Sequence, residues 1–379
     1  MAIFNTFFMG GFECADHINR SGERVNLLRE TQHDSRFYED YKALVSIGIK
    51  TVREGICWSD VESAPGVFDF SEILKRIRIA EELGVQQIWD LIHFGYADGI
   101  YPTHPLFCQR FEQLCEAFAV FHKQHSKQPL LVVPINEISF LSWHSGDVRG
   151  TVPFAVNSGW DIKYHLCKAA ILGIKKLKST NPDCTIILVE PLVKIHPTDE
   201  YQDVSASNEH QFQAMDIIAG RICPELGGSE DFLEILGFNY YWNCQWKGNG
   251  QSLDWPDTEK KRAPFSELLQ NAYERYKKPV IISETGHFGI GRVEWIEEIT
   301  AECVIARDNG VDLLGICIYP VTDRPDWDNL TKYCDCGIWD LDHEKNRIPD
   351  LQYIDAILKA QHSIKKKKNI LGEIVDFFS

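Results

Sequence analysis

The sequence contains 379 residues, of which 44% are hydrophobic, and it carries a formal net charge of −16 at pH 7. This charge disfavours nucleic acid and anionic membranes as partners, because both require a basic protein face. With no secretory signal pattern and no apolar run near the roughly 18 residues that cross a membrane, the twelve cysteines are expected to be reduced thiols of a cytoplasmic protein.

Short apolar runs alternate with helical patterns along the chain. The runs predict eight strands, at residues 3–9, 49–52, 85–92, 130–135, 184–189, 233–238, 279–283 and 311–318. Helical spacing predicts helices at residues 35–47, 70–83, 105–123, 164–179, 209–219, 265–276, 293–309 and 350–364. Residues 141–159 and 196–207 are expected to be loops.

This alternation predicts an α/β fold, a (β/α)8 barrel that forms one domain over residues 1–379. The barrel is expected to end in a C-terminal helix and a lysine-rich tail at residues 365–368. The alternative is a doubly wound sheet, which normally carries a glycine-rich phosphate turn. No GxGxxG or GxxxxGK[ST] pattern occurs in the sequence.

Two of the predicted strands end in a glutamate. The fourth strand leads into Glu137 and the seventh into Glu284. A carboxylate placed just after a buried strand is costly unless it is paired or used, and the carboxyl ends of barrel strands meet at one mouth. The two glutamates therefore predict a site that cleaves glycosidic bonds, where one acid protonates the leaving oxygen and the other carboxylate attacks the sugar or activates water.

Other polar and aromatic side chains follow the predicted strands. The full set at the barrel mouth is Glu13, Arg53, His93, Asn136, Glu137, Glu190, Asn239, Tyr241, Glu284, Asp323, Asp326 and Trp327. Such residues bind sugar hydroxyls and stack on sugar faces. Arg53 and Tyr241 are candidates to keep one glutamate ionised, and Asn136 is a candidate for binding the substrate 2-hydroxyl.

Some of these residues also have structural interpretations. His93 could be a hydrogen-bonded core histidine, and Asp323 and Asp326 could cap a loop or pair with Arg324. Glu190 is expected to be structural. Cys334-Asp335-Cys336 contains the only closely spaced cysteine pair, and without a second pair nearby it does not predict a zinc site.

Taken in order, these motifs resemble those of glycoside hydrolase family 1, the β-glucosidase family of clan A. Asn136-Glu137 resembles the N-E of that family's N-E-P motif, and residues 282–286 (ISETG) resemble [IV]-T-E-N-G. Residues 237–241 (GFNYY) are similar to G-L-N-Y-Y, and Arg53 with Trp58-Ser59 resembles R-x-S-x-x-W-S. Residues 319–327 (YPVTDRPDW) resemble W-S-L-L-D-N-F-E-W.

The resemblance implies a retaining β-glycosidase that needs neither cofactor nor metal. Glu137 would be the general acid/base and Glu284 the nucleophile, tuned by Arg53 and Tyr241. The implied sugar contacts are Asn136, His93, Asn239, Asp326 and Trp327, with Glu13 as a candidate replacement for the family's strand-one glutamine. The expected partner is a small soluble carbohydrate or glycoside, attacked at its end, and the oligomeric state is left open.

The sequence also departs from the family pattern. Ile138 replaces a proline, Thr285 an asparagine, Tyr319-Pro320 a Trp-Ser pair, and Asp326 a glutamate. We therefore expect an intact catalytic pair beside an altered sugar subsite. The Tyr319–Pro320 bond is expected to be cis, as at this point in clan members, because proline makes the cis form far less costly. A transglycosylase and a sugar-binding barrel without turnover are the alternative functions.

Overall fold

A closed barrel of eight parallel strands forms the centre of the protein. The computed structural model describes residues 3–259 and 261–378, with side-chain surroundings given as far as residue 364. The barrel strands are β1 (Phe8–Gly11), β2 (Thr51–Gly55), β3 (Gln86–Ile92), β4 (Leu131–Ile135), β5 (Thr185–Pro191), β6 (Ile235–Asn239), β7 (Val280–Thr285) and β8 (Leu313–Ile318). Each strand pairs with its neighbours in chain order, and β1 closes the barrel by pairing with both β2 and β8. The predicted (β/α)8 barrel is confirmed.

Helices surround the barrel and fill most of the strand connections. Their bounds are Leu27–Glu30, His33–Ser46, Trp58–Val61, Ser71–Leu83, Phe107–His125, Ile138–Gly146, Gly159–Thr180, Ser205–Glu209, Gln213–Ile218, Phe265–Tyr276, Gly291–Asp308 and Leu351–Phe378. Single 3-10 turns lie at His210–Phe212, Pro224–Leu226 and Glu230–Phe232. Short two-stranded ribbons pair Glu62–Ala64 with Val67–Phe68, Lys194–His196 with Gln245–Lys247, and Trp339–Leu341 with Arg347–Pro349.

Two predictions of local structure were wrong. Residues 141–159 were expected to be a loop, but Ile138–Gly146 forms a helix, because Ile138 and Leu141 lie three positions apart and are both buried. The first strand begins at Phe8 rather than at residue 3. The lysine run at residues 365–368 lies in the last helix, outside the residues whose side-chain surroundings are described.

The strands divide the core into two layers. Residues that point into the barrel form a small inner cluster that includes Met9, Ile88, Leu131, Val133, Ile187, Ile235 and Ile281. The larger cluster lies between barrel and helices, and contains Trp58 and Trp89, each 0% exposed as expected for core residues. Because side chains alternate along a strand, Asp90 shares the inward face of Ile88, and Ser283 shares that of Ile281. Because of this alternation, Asp90 and Ser283 lie at the barrel mouth, above the apolar inner cluster.

Gly11 makes room for an aromatic ring at the mouth. A Cβ atom on Gly11 would lie 2.3 Å from Tyr319 Cδ2, a distance that no real contact tolerates. The Tyr319 ring therefore packs directly on the backbone at the end of β1, where its hydroxyl lies 3.2 Å from the Phe12 carbonyl oxygen. The Tyr319–Pro320 bond is cis, as predicted.

A buried ionic network fastens β2 to the surrounding helices. The Glu54 carboxylate accepts hydrogen bonds from Tyr41 (2.6 Å) and Arg76 (2.6 Å) and contacts His33 Nε2 (2.9 Å). Burial alone would raise the pKa of Glu54, but His33 and Arg76 lower it to about 2. Glu54 therefore stabilises the fold fully above its unfolded pKa, and this contribution is lost as the pH falls towards 2.

Replacing Glu54 with glutamine is expected to lower the free energy of unfolding by about 3–5 kcal/mol, because Arg76 would remain buried without its counter-charge. Urea unfolding at pH 7 measures this change. The matched control is Glu72→Gln, which breaks the exposed Lys75–Glu72 pair and should cost about 1 kcal/mol or less. Equal effects from both substitutions would contradict a structural role for this network.

Candidate active site

A cavity of about 810 Å³ opens at the carboxyl ends of the strands. Glu137, which follows β4, and Glu284, at the end of β7, both line it. The surroundings of the two side chains differ in charge and in the number of hydrogen-bond donors. The difference decides which carboxyl group can hold a proton at neutral pH.

Glu284 is surrounded by donors. Arg53 Nη1 donates to Oε1 at 2.7 Å, and the Tyr241 hydroxyl donates to Oε2 at 2.8 Å. Glu284 is only 5% exposed, so a buried cation and a hydroxyl meet one carboxylate oxygen each. Both contacts place a hydrogen-bond donor on the carboxylate. The predicted grouping of Arg53 and Tyr241 around this glutamate is what the structure contains.

Arg53 is held in place by three further groups. Its Nε and Nη2 donate to the two oxygens of Asp90 at 2.9 and 2.7 Å, and Nη2 also donates to Asn136 Oδ1 at 2.7 Å. Nη1 donates in addition to the Ser283 carbonyl oxygen at 3.1 Å. A guanidinium held in this two-pronged manner by a carboxylate has little freedom, so Arg53 presents a fixed positive charge to Glu284.

Glu137 meets a different environment. Its Oε1 accepts one hydrogen bond, from Asn239 Nδ2 at 2.8 Å. Burial and the nearby negative charge of Glu284 raise the pKa of Glu137 to about 8, although the Asn239 hydrogen bond works in the opposite direction. At neutral pH Glu137 is therefore protonated, as a general acid requires.

The backbone at Glu137 is strained. Its φ of 45° and ψ of 58° lie in the left-handed region, which costs a residue with a Cβ about 1–2 kcal/mol. The Glu137 N–H donates to the Val189 carbonyl oxygen at 2.9 Å, and the next residue starts the helix Ile138–Gly146. Strained residues of this kind concentrate at functional sites, and here the strain accompanies a side chain aimed into the cavity.

The two asparagines lie beneath the glutamates. Asn239 is 0% exposed, and its Oδ1 accepts a hydrogen bond from Ser283 Oγ at 2.6 Å while Nδ2 holds Glu137. Asn136 is also 0% exposed, and none of the described residues accepts a hydrogen bond from its Nδ2. Asn239 thus positions Glu137. Neither asparagine is among the residues that line the cavity, so their predicted roles in sugar binding stay predictions.

One end of the cavity contains a cluster of polar and aromatic side chains around Glu13. The members that line this end are Glu13, His93, Tyr319, Arg324 and Trp327. Glu13 Oε1 lies 3.4 Å from His93 Nε2, and Glu13 Oε2 lies 3.4 Å from Arg324 Nε. Burial alone would raise the pKa of Glu13, but His93 and Arg324 lower it to about 2. This carboxylate is thus an anion at this end of the cavity.

His93 joins this cluster to the arginine network. Its Nδ1 lies 2.9 Å from Asp90 Oδ2 and its Nε2 lies 3.1 Å from the Tyr319 hydroxyl. Burial disfavours a charged imidazole, but Cys14, Asp90 and Glu13 together raise the pKa of His93. The same Asp90 carboxylate therefore orients both Arg53 and His93.

Asp326 does not line the cavity. Its carboxylate accepts hydrogen bonds from the backbone N–H groups of Asp328 (2.9 Å) and Asn329 (3.1 Å), so it caps its own loop. Asp323 also caps a loop, accepting from the N–H groups of Arg324 and Cys336 at 2.8 and 3.1 Å. In the place expected for Asp326, the structure brings Arg324 beside Glu13, while Trp327 does face the cavity.

The other end of the cavity is largely aromatic and aliphatic. Its apolar lining comprises Trp143, Val193, Ile195, Trp242, Trp246 and Phe288, and Phe140 connects it to the Glu13 end, with its ring centroid 6.2 Å from that of Trp327. Glu190 lies behind this wall, where both of its oxygens accept from the Ser139 N–H at 3.2 and 3.1 Å. Burial raises the pKa of Glu190 to about 7. It supports the start of the helix after Glu137, in agreement with its expected structural role.

Sequence analysis missed three contributors, namely Asp90, Tyr319 and Arg324. Asp90 lies in a largely apolar strand, two positions after the inward-facing Ile88. Because side chains alternate along a strand, this spacing predicts that the Asp90 carboxylate also points into the barrel. Tyr319 was noted only as a departure from the family pattern. Arg324 was considered only as an ion-pair partner for Asp323 or Asp326, and spacing alone gave no indication that it faces Glu13.

One metal-sized grouping occurs among the described residues. Ligand atoms of Cys14, Asp90 and His93 lie within 4.8 Å of one another. Both Asp90 oxygens already accept from Arg53, and a guanidinium at that distance repels a cation. Burial also raises the pKa of the Cys14 thiol to about 11, which disfavours a thiolate ligand. The donor set therefore suits ion pairing rather than metal binding.

A comparison with solved structures finds the same barrel fold in β-glucosidases. A family 1 β-glucosidase from Thermotoga maritima superposes with a TM-score of 0.75 at 16% identity, covering 94% of this chain and 98% of that chain. The virulence factor SghA, solved with its substrate analogue salicin, gives a TM-score of 0.76 at 14% identity, covering 94% and 96%. The resemblance in fold to family 1 β-glucosidases that the motifs predicted is confirmed.

The amino-acid sequence itself matches no family model and no curated protein. The similarity to these solved structures is therefore one of backbone fold, and it extends over nearly the whole length of this chain and of each compared chain. In the part of the chain that the structure describes, none of the helices is long and apolar enough to cross a membrane.

Proposed function

We propose that this protein is a retaining β-glycosidase that acts on the end of a small soluble glycoside. The observation that carries the proposal is the pairing of two carboxyl groups in one cavity with opposite environments. Glu284 faces Arg53 and Tyr241, whereas burial and the charge of Glu284 raise the pKa of Glu137 to about 8. Two carboxyl groups that differ in this way are what double displacement requires.

The mechanism follows from these environments. Glu137 donates its proton to the glycosidic oxygen as the bond to the anomeric carbon breaks, and a Glu284 oxygen forms a bond to that carbon. The aglycone leaves as an alcohol, and a glycosyl ester of Glu284 remains. Glu137, now ionised, takes a proton from a water molecule, whose oxygen displaces Glu284 and releases the sugar. The two carboxyl groups and one water molecule supply every proton and bond in this sequence.

The cavity also suggests how a substrate would lie. The end with Glu13, His93 and Arg324 offers charged partners for sugar hydroxyls, and Trp327 offers a ring face for stacking. The aromatic end would receive the aglycone. Because that end can also hold an acceptor and exclude water, transglycosylation is the second candidate. Product analysis with and without an added alcohol separates the two reactions.

Covalent labelling tests the proposal. The protein is incubated with 2,4-dinitrophenyl 2-deoxy-2-fluoro-β-glycosides of several hexoses, because fluorine slows release of the intermediate more than its formation when the leaving group is good. The expected result is one fluorosugar bound to Glu284, located by mass spectrometry of the peptides, and no label on Glu284→Gln. Sugar binding without label across the whole set would favour a binding protein, and a label on another carboxylate would contradict the assigned nucleophile.

The pH dependence of catalysis gives a second check. Because Glu137 must be protonated for the first step and its pKa is raised to about 8, kcat/KM for a substrate with a poor leaving group should fall above about pH 8. The measurement is a pH profile of kcat/KM. The same profile for Glu137→Gln should lack this fall at high pH. A fall that persists in the variant would assign the titration to another group.

A further inference from the structure

Two cysteines occupy one turn in the wall of the cavity. Cys336 is buried and lines the cavity, and Cys334 is half-buried. Asp335 between them has a φ of 51°, the left-handed geometry of a tight turn. The turn follows β8 and lies against Asp323 and Arg324. None of the catalytic steps described above uses either thiol.

Each of the two sulfur atoms lies close to one of two adjacent residues, Asp323 and Arg324. Cys334 Sγ lies 3.8 Å from Arg324 Nη1, and Cys336 Sγ lies 3.4 Å from Asp323 Oδ1. The backbone repeats this arrangement, since the Cys334 N–H donates to the Arg324 carbonyl oxygen and the Cys336 N–H donates to Asp323 Oδ1, each at 3.1 Å. The two cysteines are separated by one residue, and their sulfur atoms contact adjacent residues, so both thiols lie on the same turn. The fold therefore presents a preassembled dithiol beside a guanidinium.

The two thiols differ in acidity. The hydrogen bond from Cys336 and the positive charge of Arg324 lower the pKa of Cys334 to about 7, against the effect of burial. The pKa of Cys336 is raised, so it keeps its proton and donates it to Cys334. Burial raises the pKa of each of the other ten thiols. Cys334 is thus the thiol with the greatest fraction of thiolate at neutral pH.

We propose that Cys334 and Cys336 form a thiol–disulfide exchange site for small, low-molecular-weight disulfides. Cys334 is the attacking thiolate, because it is half-exposed and lies beside the Arg324 cation. Cys336 is the resolving thiol, because it is buried on the same turn as Cys334 and cannot itself meet a bulky reagent. The site depends on the turn geometry and not on the glycosidase reaction.

The exchange balances in two steps. The Cys334 thiolate forms a bond to one sulfur of the small disulfide, and the other sulfur leaves as a thiolate that takes a proton from water. Cys336 then loses its proton to solvent and its sulfur attacks Cys334 Sγ, which releases the second small thiol. Starting from the Cys334 thiolate and the Cys336 thiol, the protein loses two electrons and one proton. The small disulfide gains these two electrons and two protons, the second of which comes from solvent. The product is a Cys334–Cys336 disulfide.

Oxidation would change the wall of the cavity. Arg324 lies between the Cys334 sulfur and the Glu13 carboxylate, 3.4 Å from the latter. When the thiolate becomes part of a disulfide, Arg324 loses one of its two anionic neighbours. In the oxidised protein Glu13 therefore remains as the anionic neighbour of Arg324.

Mass spectrometry of the wild-type protein tests the site. The protein is incubated with oxidised glutathione at pH 7, quenched with iodoacetamide and digested with trypsin. Residues 333–345 form one tryptic peptide whose only cysteines are Cys334 and Cys336. The expected product is this peptide without alkylation and lighter by two hydrogen atoms. It should form on the order of fivefold faster than glutathione adds to the half-buried Cys108 or Cys223, given the difference in thiolate fraction and the lower nucleophilicity of a more acidic thiol.

Single substitutions separate the two roles. Cys336→Ser should accumulate a stable mixed disulfide between glutathione and Cys334, and Cys334→Ser should leave the peptide unmodified. The matched control is Cys223→Ser, which removes another half-buried thiol and should leave the reaction unchanged. The proposal is overturned if wild-type Cys334 reacts no faster than Cys108 and Cys223, or if the wild-type reaction stops at the mixed disulfide. Neither outcome bears on the glycosidase proposal, because the readout is the covalent state of the thiols.

Discussion

Replacing Glu284 with glutamine is expected to lower kcat by at least about 10⁴-fold, the scale on which loss of a covalent nucleophile acts. Glutamine can still meet Arg53 and Tyr241 but cannot form the glycosyl ester. Steady-state kinetics with an aryl β-glycoside measures the loss. The control is Glu62→Gln, which alters a glutamate that is also buried but is bound to Trp58 and Arg110 outside the cavity.

Chemical rescue makes the Glu284 test specific. In Glu284→Ala, sodium azide can enter the space of the missing carboxylate and attack the anomeric carbon directly. The product should be a glycosyl azide with the configuration opposite to that of the substrate. Rescue with retained configuration, or full activity of Glu284→Gln, would contradict the assignment of this residue as nucleophile.

Replacing Glu137 with alanine should have an effect that depends on the leaving group. For a substrate with a poor leaving group, kcat/KM should fall by about 10²–10⁴-fold, the usual contribution of general acid catalysis. For a dinitrophenyl glycoside, whose leaving group needs no proton, the first step should be almost unchanged and a burst of dinitrophenolate should precede slow turnover. Pre-steady-state absorbance measures both phases.

Rescue by azide tests the role of Glu137 more specifically than the loss of activity does. In Glu137→Ala the covalent intermediate on Glu284 still forms, so azide should attack from the side of the missing acid/base and yield a glycosyl azide with the configuration of the substrate. An equal loss for good and poor leaving groups would instead indicate that Glu137 supports the fold of the site. Circular dichroism of the variant distinguishes that case from loss of the whole structure.

The sequence allowed most of the barrel to be predicted because its patterns are local. Eight apolar runs and the helices between them follow from spacing alone, and Asn136-Glu137 and Glu284 are visible at strand ends. The helix after Glu137 was missed because its apolar residues are not confined to one face and give no helical period, and because its glycine and serines resemble a loop. That helix begins at a strained residue, which no local pattern reveals.

The site was predicted unevenly for a similar reason. Arg53, Tyr241 and Glu284 lie on three strands, and only the shared mouth of a barrel brings them together; once the barrel was predicted, their grouping followed. Arg324 and Asp326 lie in one irregular loop. Although they are only two residues apart, Arg324 lines the cavity and Asp326 does not. The loop conformation, set by the caps at Asp323 and Asp326, decides which of the two faces the cavity. Spacing cannot supply that information.

The Arg53 network joins parts of the barrel that are distant around its circumference. From β2 the guanidinium holds Asp90 on β3, Asn136 after β4, and Ser283 and Glu284 on β7. Arg53 therefore cross-links strands on opposite sides of the barrel, so that a movement of β2 or β3 would also move the Glu284 carboxylate on β7. Local loosening at this point would therefore disturb the contacts between strands and the position of the Glu284 carboxylate together, because the same guanidinium makes both.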